Sequence, residues 1–453
     1  MTKDPTFLKR QGANFLSLIN DLKRNRKAAA DDLQIPVEVI EQIIAGEMDI
    51  PADLIRKATE VWPVNRRDFM IMEDDCAEGV LVMKKEESER SSRVFTRGGS
   101  AYYEYRDTAM SKVAPFRPEW ILELCTVEGN DPENPALQWN NGHFMHQFTM
   151  FVGAVNFYYI EENQRKVMIA NTGDSMYITP FVPHTFATRK ADSLEKYGGK
   201  KGLILALTYG NKLLGDVQHE MSALGGTIPE QSLLETQSRE TYFASLLKLQ
   251  MGALSLSVED LVQQTSLPAD RVHNFVNGKL LPNEKEYREL GNCLTINSYD
   301  LMPPDSFDSK VVVRYLRQSK PRRYFNCHIR ELACIRYLPY SKALLLDILE
   351  KTDGCHLKVP LHQYCYNFGE TSVMLKWDWR GEQKEIELRP DDSVYIKPFV
   401  PHSFSPCESK SASLLSLRIG GKGIGEPQKE LSHIGRKNIK RIYQEYSLWY
   451  REE

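Results

Sequence analysis

Residues 173–186 read GDSMYITPFVPHTF, and residues 391–404 read DDSVYIKPFVPHSF. The offset is 218 residues, and 10 of the 14 positions are identical. A second series follows each block. Gly210, Lys212, Gly215, Glu220, Ser222 and Gly225 recur as Gly420, Lys422, Gly425, Glu430, Ser432 and Gly435, at a constant offset of 210. Two such matches in the same order mark a tandem duplication whose halves meet near residue 230. This constrains the fold more than any local pattern does, because whatever plan one half adopts, the other must adopt too.

Each half opens with a helical texture. Phe15, Leu18, Ile19 and Leu22, then Leu33, then Val39, Ile40, Ile43 and Ile44, recur at three- and four-residue steps, and Gly46 follows as a stop. Leu261, Leu267, Val272, Phe275, Val276 and Gly278 answer in the second half. A helix, a short turn and a helix ending in Gly predict a helix-turn-helix-like bundle. The later part of each half is strand-like: VNFYYI (155–160) and LILALTY (203–209) are answered by VMLKWDW (373–379) and SLLSLRI (413–419). Short strands broken by turns predict a cupin barrel, that is, a double-stranded β-helix or jelly roll. The expected class is therefore α+β. Its plan is helical domain 1–75, barrel 76–230, helical domain 231–305 and barrel 306–453.

Charge narrows the function. Across 453 residues, 58 basic side chains face 61 acidic ones, a formal net charge of −3, which argues against a broadly cationic nucleic-acid binder. A helix-turn-helix joined to a β-barrel is also a regulator architecture, so transcriptional control is the rival class. Against it, the recognition position VEVIEQIIA (37–45) is acidic and apolar, while the copy RVHNFVNGK is better suited to DNA. The N-terminus has no apolar signal core, and no run approaches the roughly 20 apolar residues of a membrane helix. Eight irregularly spaced cysteines make no disulfide framework. A cytoplasmic, reduced protein off the membrane is expected, and a homo-oligomer is compatible with the sequence.

The polar cluster that stands out is WNNGHFMHQ (139–147), followed by His184 in PFVPH. On a strand, His143 and Gln147 would share a face and His146 would point away. A facial metal site needs three ligands on one side. Taken alone, a His-Gln pair is more often a hydrogen-bonded surface face. The repeat supplies an internal comparison. His146-Gln147 aligns with His362-Gln363 and His184 with His402, whereas His143 becomes Val359. One working site and one decayed copy are expected, with no metal in the second barrel. Cys355, His356, His362 and Cys365 match no standard zinc spacing, and GGKGIG (420–425) is a turn rather than a phosphate loop.

At these residues the chain resembles the 2-hydroxyethylphosphonate dioxygenase and methylphosphonate synthase family, over nearly its whole length. In that family the dioxygenase takes a Glu six residues before the second His, a position that is Ile178 here. The synthase takes a Gln four residues after the first His, which is Gln147 here. The resemblance thus implies Fe(II) held by His143, Gln147 and His184, with Gln147 and Ile178 setting the product. It implies a phosphonate site of Lys23, Arg97, Tyr105 and Asn140, with Tyr102, Tyr103 and Asn141 as neighbouring alternatives. It implies non-haem iron oxygenase chemistry independent of 2-oxoglutarate. In that reaction 2-hydroxyethylphosphonate and O2 give methylphosphonate and carbon dioxide or bicarbonate. The dioxygenase outcome, hydroxymethylphosphonate and formate, is the near alternative.

Overall fold

The computed structural model describes residues 5–450, apart from 115, 227 and 308. The first helical unit comprises Pro5–Asp21, Arg26–Leu33, Val37–Ala45 and Ala52–Val61. Phe15, Ile19, Ile40, Ile43 and Trp62 meet in its core. A Cβ on Gly12 would stand 2.3 Å from the carbonyl oxygen of Ile43, so glycine lets the first and third helices touch. Gly46, at φ +72°, ends the third helix in a left-handed cap. Glu38 and Glu41 on that helix face solvent. The second unit, Arg239–Ala253, Val258–Gln264, Ala269–Val276 and Glu284–Cys293, repeats the plan around Phe243, Leu247, Leu261 and Phe275.

The strands of the first half are β1 Val80–Met83, β2 Arg93–Arg97, β3 Ser100–Asp107, β4 Arg117–Glu123, β5 Thr126–Val127, β6 His146–Val152, β7 Val155–Glu161, β8 Gln164–Ala170, β9 Ser175–Ile178, β10 His184–Arg189 and β11 Leu203–Tyr209. Those of the second are β12 Val311–Arg314, β13 Arg322–Tyr324, β14 Cys327–Glu331, β15 Ser341–Ile348, β16 His362–Tyr366, β17 Val373–Trp379, β18 Glu382–Leu388, β19 Ser393–Ile396, β20 His402–Pro406 and β21 Ala412–Ile419. A seven-stranded sheet, β12-β9-β6-β11-β4-β3-β2, lies against a four-stranded one, β5-β10-β7-β8. Phe151, Phe157, Ile178 and Phe186 fill the space between them. The second barrel sets β1-β19-β16-β21-β15-β14-β13 against β18-β17-β20.

One strand crosses in each direction. Val80–Met83, which a boundary at 76 would place in the first barrel, pairs antiparallel with Ser393–Ile396 of the second. Val311–Arg314, beyond the boundary at 306, pairs with Ser175–Ile178 of the first. The expected boundaries therefore do not coincide with the sheets. Each crossing strand covers an outer sheet edge that would otherwise expose unpaired backbone groups.

The two large sheets also pack face to face. Phe148, Met150, Leu205, Leu207 and Tyr209 meet Leu345, Tyr364, Tyr395, Leu415 and Leu417 in one cluster. This explains why β6 is buried on both faces from His146 to Phe151. Even-numbered residues point at the other barrel, and odd-numbered ones point into their own.

Candidate metal centre

Inside the first barrel a cavity of about 300 Å³ is lined by Arg97, Tyr105, Asn140, His143, Gln147 and His184, among others. The two loops that build it are tied together. The Phe181 N–H donates to the His143 carbonyl at 2.9 Å, and the Asn140 N–H donates to the His184 carbonyl at 3.2 Å. Gly142, at φ +75°, lies so close to Phe181 that a Cβ would come within 2.5 Å of its backbone. His143 therefore precedes β6 and reaches the cavity from a loop. The expectation that it shares a strand face with Gln147 is corrected, although both side chains do converge. His146 points away, as expected, and its Nδ1 meets the Tyr177 hydroxyl at 2.5 Å between the barrels. Burial there holds its pKa down at about 4.

The hydrogen bonds fix which nitrogens are available. His143 Nδ1 lies 3.0 Å from the Met145 carbonyl and His184 Nδ1 lies 2.8 Å from the Val182 carbonyl, so each Nδ1 carries the proton and donates it. Both Nε2 lone pairs then face the cavity. The Gln147 amide nitrogen donates to Thr149 Oγ1 at 2.9 Å, which turns Oε1 toward His143. His143 Nε2 and Gln147 Oε1 stand 2.9 Å apart, lone pair to lone pair. A shared cation resolves that contact, and backbone carbonyls behind ligating imidazoles are the usual supporting arrangement. The donor set thus fits a metal ion. Among the described residues no three His, Cys, Asp or Glu side chains form a metal cluster, consistent with an amide as third donor. Burial pushes the His184 pKa down to about 3, keeping its imidazole neutral.

Ile178 is fully buried, opposite Gln147 in the β6–β9 ladder. Val311, from the second half of the chain, pairs with Ile178 on its other side. Asn140 accepts the His184 N–H at 2.8 Å, and its amide nitrogen lies 3.1 Å from His184 Nε2. Asn141 does not line the cavity. Arg97 donates to the Gln138 carbonyl at 3.2 Å and lies over the Tyr103 ring at 4.8 Å. The Tyr102 and Tyr103 hydroxyls both meet Thr185, at 2.9 and 3.1 Å. Tyr103 and Tyr105 both line the cavity; Tyr105, whose pKa burial pushes up to about 12, makes no such hydroxyl contact among the described residues. Lys23 is not brought there. Its ammonium donates to the Asp21 carbonyl at 2.7 Å and lies over the Trp449 ring at 5.0 Å, on the helical unit. That expectation is corrected: helical-domain packing against the C-terminal segment holds Lys23 elsewhere.

Glu119 and Thr208 also line the cavity and were not singled out from sequence. Thr208 Oγ1 lies 3.3 Å from Glu119 Oε2, and burial raises that carboxyl's pKa. In RPEWILE, Glu119 and Glu123 stand four residues apart, which on a strand puts both on one face, but nothing in the sequence marks that face as the inward one.

Fold and donor set describe a protein of packed antiparallel sheets with a buried cavity whose donors fit a metal ion. No family model matches the chain. A methylphosphonate synthase of Nitrosopumilus maritimus is 47% identical over 453 residues, covering 99% of this chain and 97% of the relative. A 2-hydroxyethylphosphonate dioxygenase of Streptomyces viridochromogenes is 23% identical over 414 residues, covering 85% and 86% of the two chains. The solved structure of Streptomyces albus 2-hydroxyethylphosphonate dioxygenase, with substrate 2-hydroxyethylphosphonate and Fe(II) bound, superposes with a TM-score of 0.91 at 35% identity. The match covers 99% of this chain and 100% of that one. The chain belongs to the family of methylphosphonate synthase and 2-hydroxyethylphosphonate dioxygenase.

Proposed function

We propose that the chain is a non-haem Fe(II) oxygenase that makes methylphosphonate. It cleaves the carbon–carbon bond of 2-hydroxyethylphosphonate with O2, releasing the other carbon as carbon dioxide or bicarbonate. The observation that carries this reading is the facing pair His143 Nε2 and Gln147 Oε1, 2.9 Å apart, beside His184 and an Ile178 that offers no carboxylate. His143, Gln147 and His184 would hold the iron, and the bound metal supplies the redox chemistry toward O2. A Gln donor leaves the centre one charge more positive than a Glu would, which favours a dianionic ligand.

Arg97, Tyr105 and Asn140 are the phosphonate anchors. The guanidinium gives paired donors, and the Tyr105 hydroxyl, without a hydrogen bond among the described residues, gives a third. Ile121, Phe186 and Ile204 make the wall beside them apolar and exclude bulk water from the reacting carbon. The double cupin plan and the four-part division of the chain are the architecture of this reading. The helical units serve as covers. On the third helix of the second unit, Arg271 is engaged by both carboxylate oxygens of Glu286, which takes a cation away from any DNA contact. Among the described residues no helix is long and apolar enough to cross a membrane.

The test is anaerobic Fe(II) loading, then addition of 2-hydroxyethylphosphonate and O2, with products identified by phosphorus NMR. Methylphosphonate is the expected product. Hydroxymethylphosphonate would assign the dioxygenase outcome, and no turnover with iron bound would sink the reading.

A further inference from the structure

Glu123 is fully buried, and among the described residues neither of its carboxyl oxygens has a hydrogen-bond partner. Such a group is rarely kept without a use. It lies on β4 two residues beyond Ile121 and four beyond Glu119, both of which line the cavity, so it points into the same barrel. Its cross-strand partner is Tyr103, whose ring carries the Arg97 guanidinium at 4.8 Å. Glu123 therefore sits behind the proposed phosphonate anchor.

The duplication shows that this acid is not demanded by the fold. In the ladders, Leu207 pairs with Pro118 and its repeat Leu417 pairs with Ala343. Continuing along both strands, Glu119 corresponds to Leu344 and Glu123 to Ile348. Tyr103 and Tyr105 correspond to Cys327 and Ile329 through the next ladders. The barrel without the His143 counterpart thus has aliphatic side chains where the first has two inward acids.

We propose that Glu123 is a positioning residue for Arg97: uncharged in the working enzyme, it leaves the guanidinium to an incoming phosphonate, and when ionised it withdraws it. The inference rests on the phosphonate reading of Arg97. Burial raises the Glu123 carboxyl pKa well above the ordinary carboxylate range, and Arg97 is the charge that opposes this rise. The other titratable groups facing it are Tyr103 and Tyr105 from β3 and Cys125 just beyond its own strand, all neutral thiols or phenols. From β10, Thr188 presents a hydroxyl that bonds the Glu123 carbonyl at 2.9 Å. Beside it the Lys201 ammonium is held on the Leu124 carbonyl at 2.9 Å, so among the described residues Arg97 is the cation an anionic Glu123 would turn to, the same one a phosphonate needs.

The experiment measures anaerobic binding of 2-hydroxyethylphosphonate to the Fe(II)-loaded full chain from pH 6 upward, for the wild type and Glu123→Gln. Wild-type Kd is expected to rise at alkaline pH, by up to about tenfold per pH unit once the acid ionises, while Glu123→Gln stays within about twofold. Should that variant fail to fold, Glu123→Ile, mimicking Ile348, takes its place. Infrared spectra of the wild type should show a buried protonated-carboxyl band that persists to higher pH with substrate bound. Parallel pH profiles in both proteins, or a band insensitive to substrate, overturn the inference and leave the functional reading intact. No binding by the wild type at any pH overturns both.

Discussion

The two barrels are copies that answer the same packing problem differently. In the first, His143, Gln147 and His184 aim lone pairs into an open cavity. In the second, Val359 occupies the place of His143, marked by the matching backbone bond from Phe399 at 2.7 Å. Gln363 and His402 remain, but they bond each other at 2.9 Å. Arg418, the repeat of Thr208, inserts its guanidinium and donates to Gln363 Oε1 at 2.8 Å. A positive charge from the chain itself thus stands beside the residual donors. Two of three matched donors therefore do not make an open site: where Val359 replaces the third, the remaining pair is satisfied by the chain's own hydrogen bonds.

The largest test of this contrast is to separate the copies. Residues 1–230 alone lack β12 and expose the apolar face that packs on the second barrel. They are expected to give no cooperative thermal transition, and a stable, iron-binding half would contradict the strand exchange. Next in size, His143→Ala or His184→Ala should lower iron affinity by at least about 100-fold, since even supporting partners of ligands are worth about 10–100-fold. His402→Ala should leave the stoichiometry at one iron per chain by metal analysis. Arg97→Ala should raise the KM for 2-hydroxyethylphosphonate about 100-fold, roughly 3 kcal/mol, with iron content unchanged.

Gln147→Glu with Ile178 retained should impair methylphosphonate formation. An unaltered rate and product ratio by phosphorus NMR would show that the third ligand is misassigned.

A further contrast is the acid sensitivity of the second half, spread over more than two pH units. Burial depresses the His402 pKa to about 4, below the roughly 6.5 of an unfolded imidazole. Between those values the unfolded chain binds a proton that the folded one refuses. Stability should therefore fall as pH falls from about 6.5 to 4, by about 1.4 kcal/mol per pH unit for this group. His402→Gln should flatten that slope in urea unfolding.

Much was legible in the residues. The duplication and the helical and strand textures were readable because similar local sequence imposes similar local structure, and His143, Gln147 and His184 do line one cavity. Arg97, Tyr105 and Asn140 do reach the cavity, and the Tyr102 and Tyr103 hydroxyls are tied to Thr185 whereas that of Tyr105 has no hydrogen bond among the described residues. Glu119 and Glu123 were not visible, because the β4 and β15 stretches share no residues that would align them. Lys23 looked available because a basic helix turn says nothing about where its domain docks.

By itself the sequence determined a twofold plan in which His143, Gln147 and His184 are answered by Val359, Gln363 and His402, since repeat alignment needs no coordinates. Only the tertiary structure decided that β1 and β12 change barrels, that His143 comes from a loop, and that a buried acid stands behind Arg97. Those depend on which sheet edges and faces meet, and contacts between residues hundreds of positions apart leave no periodic trace along the chain.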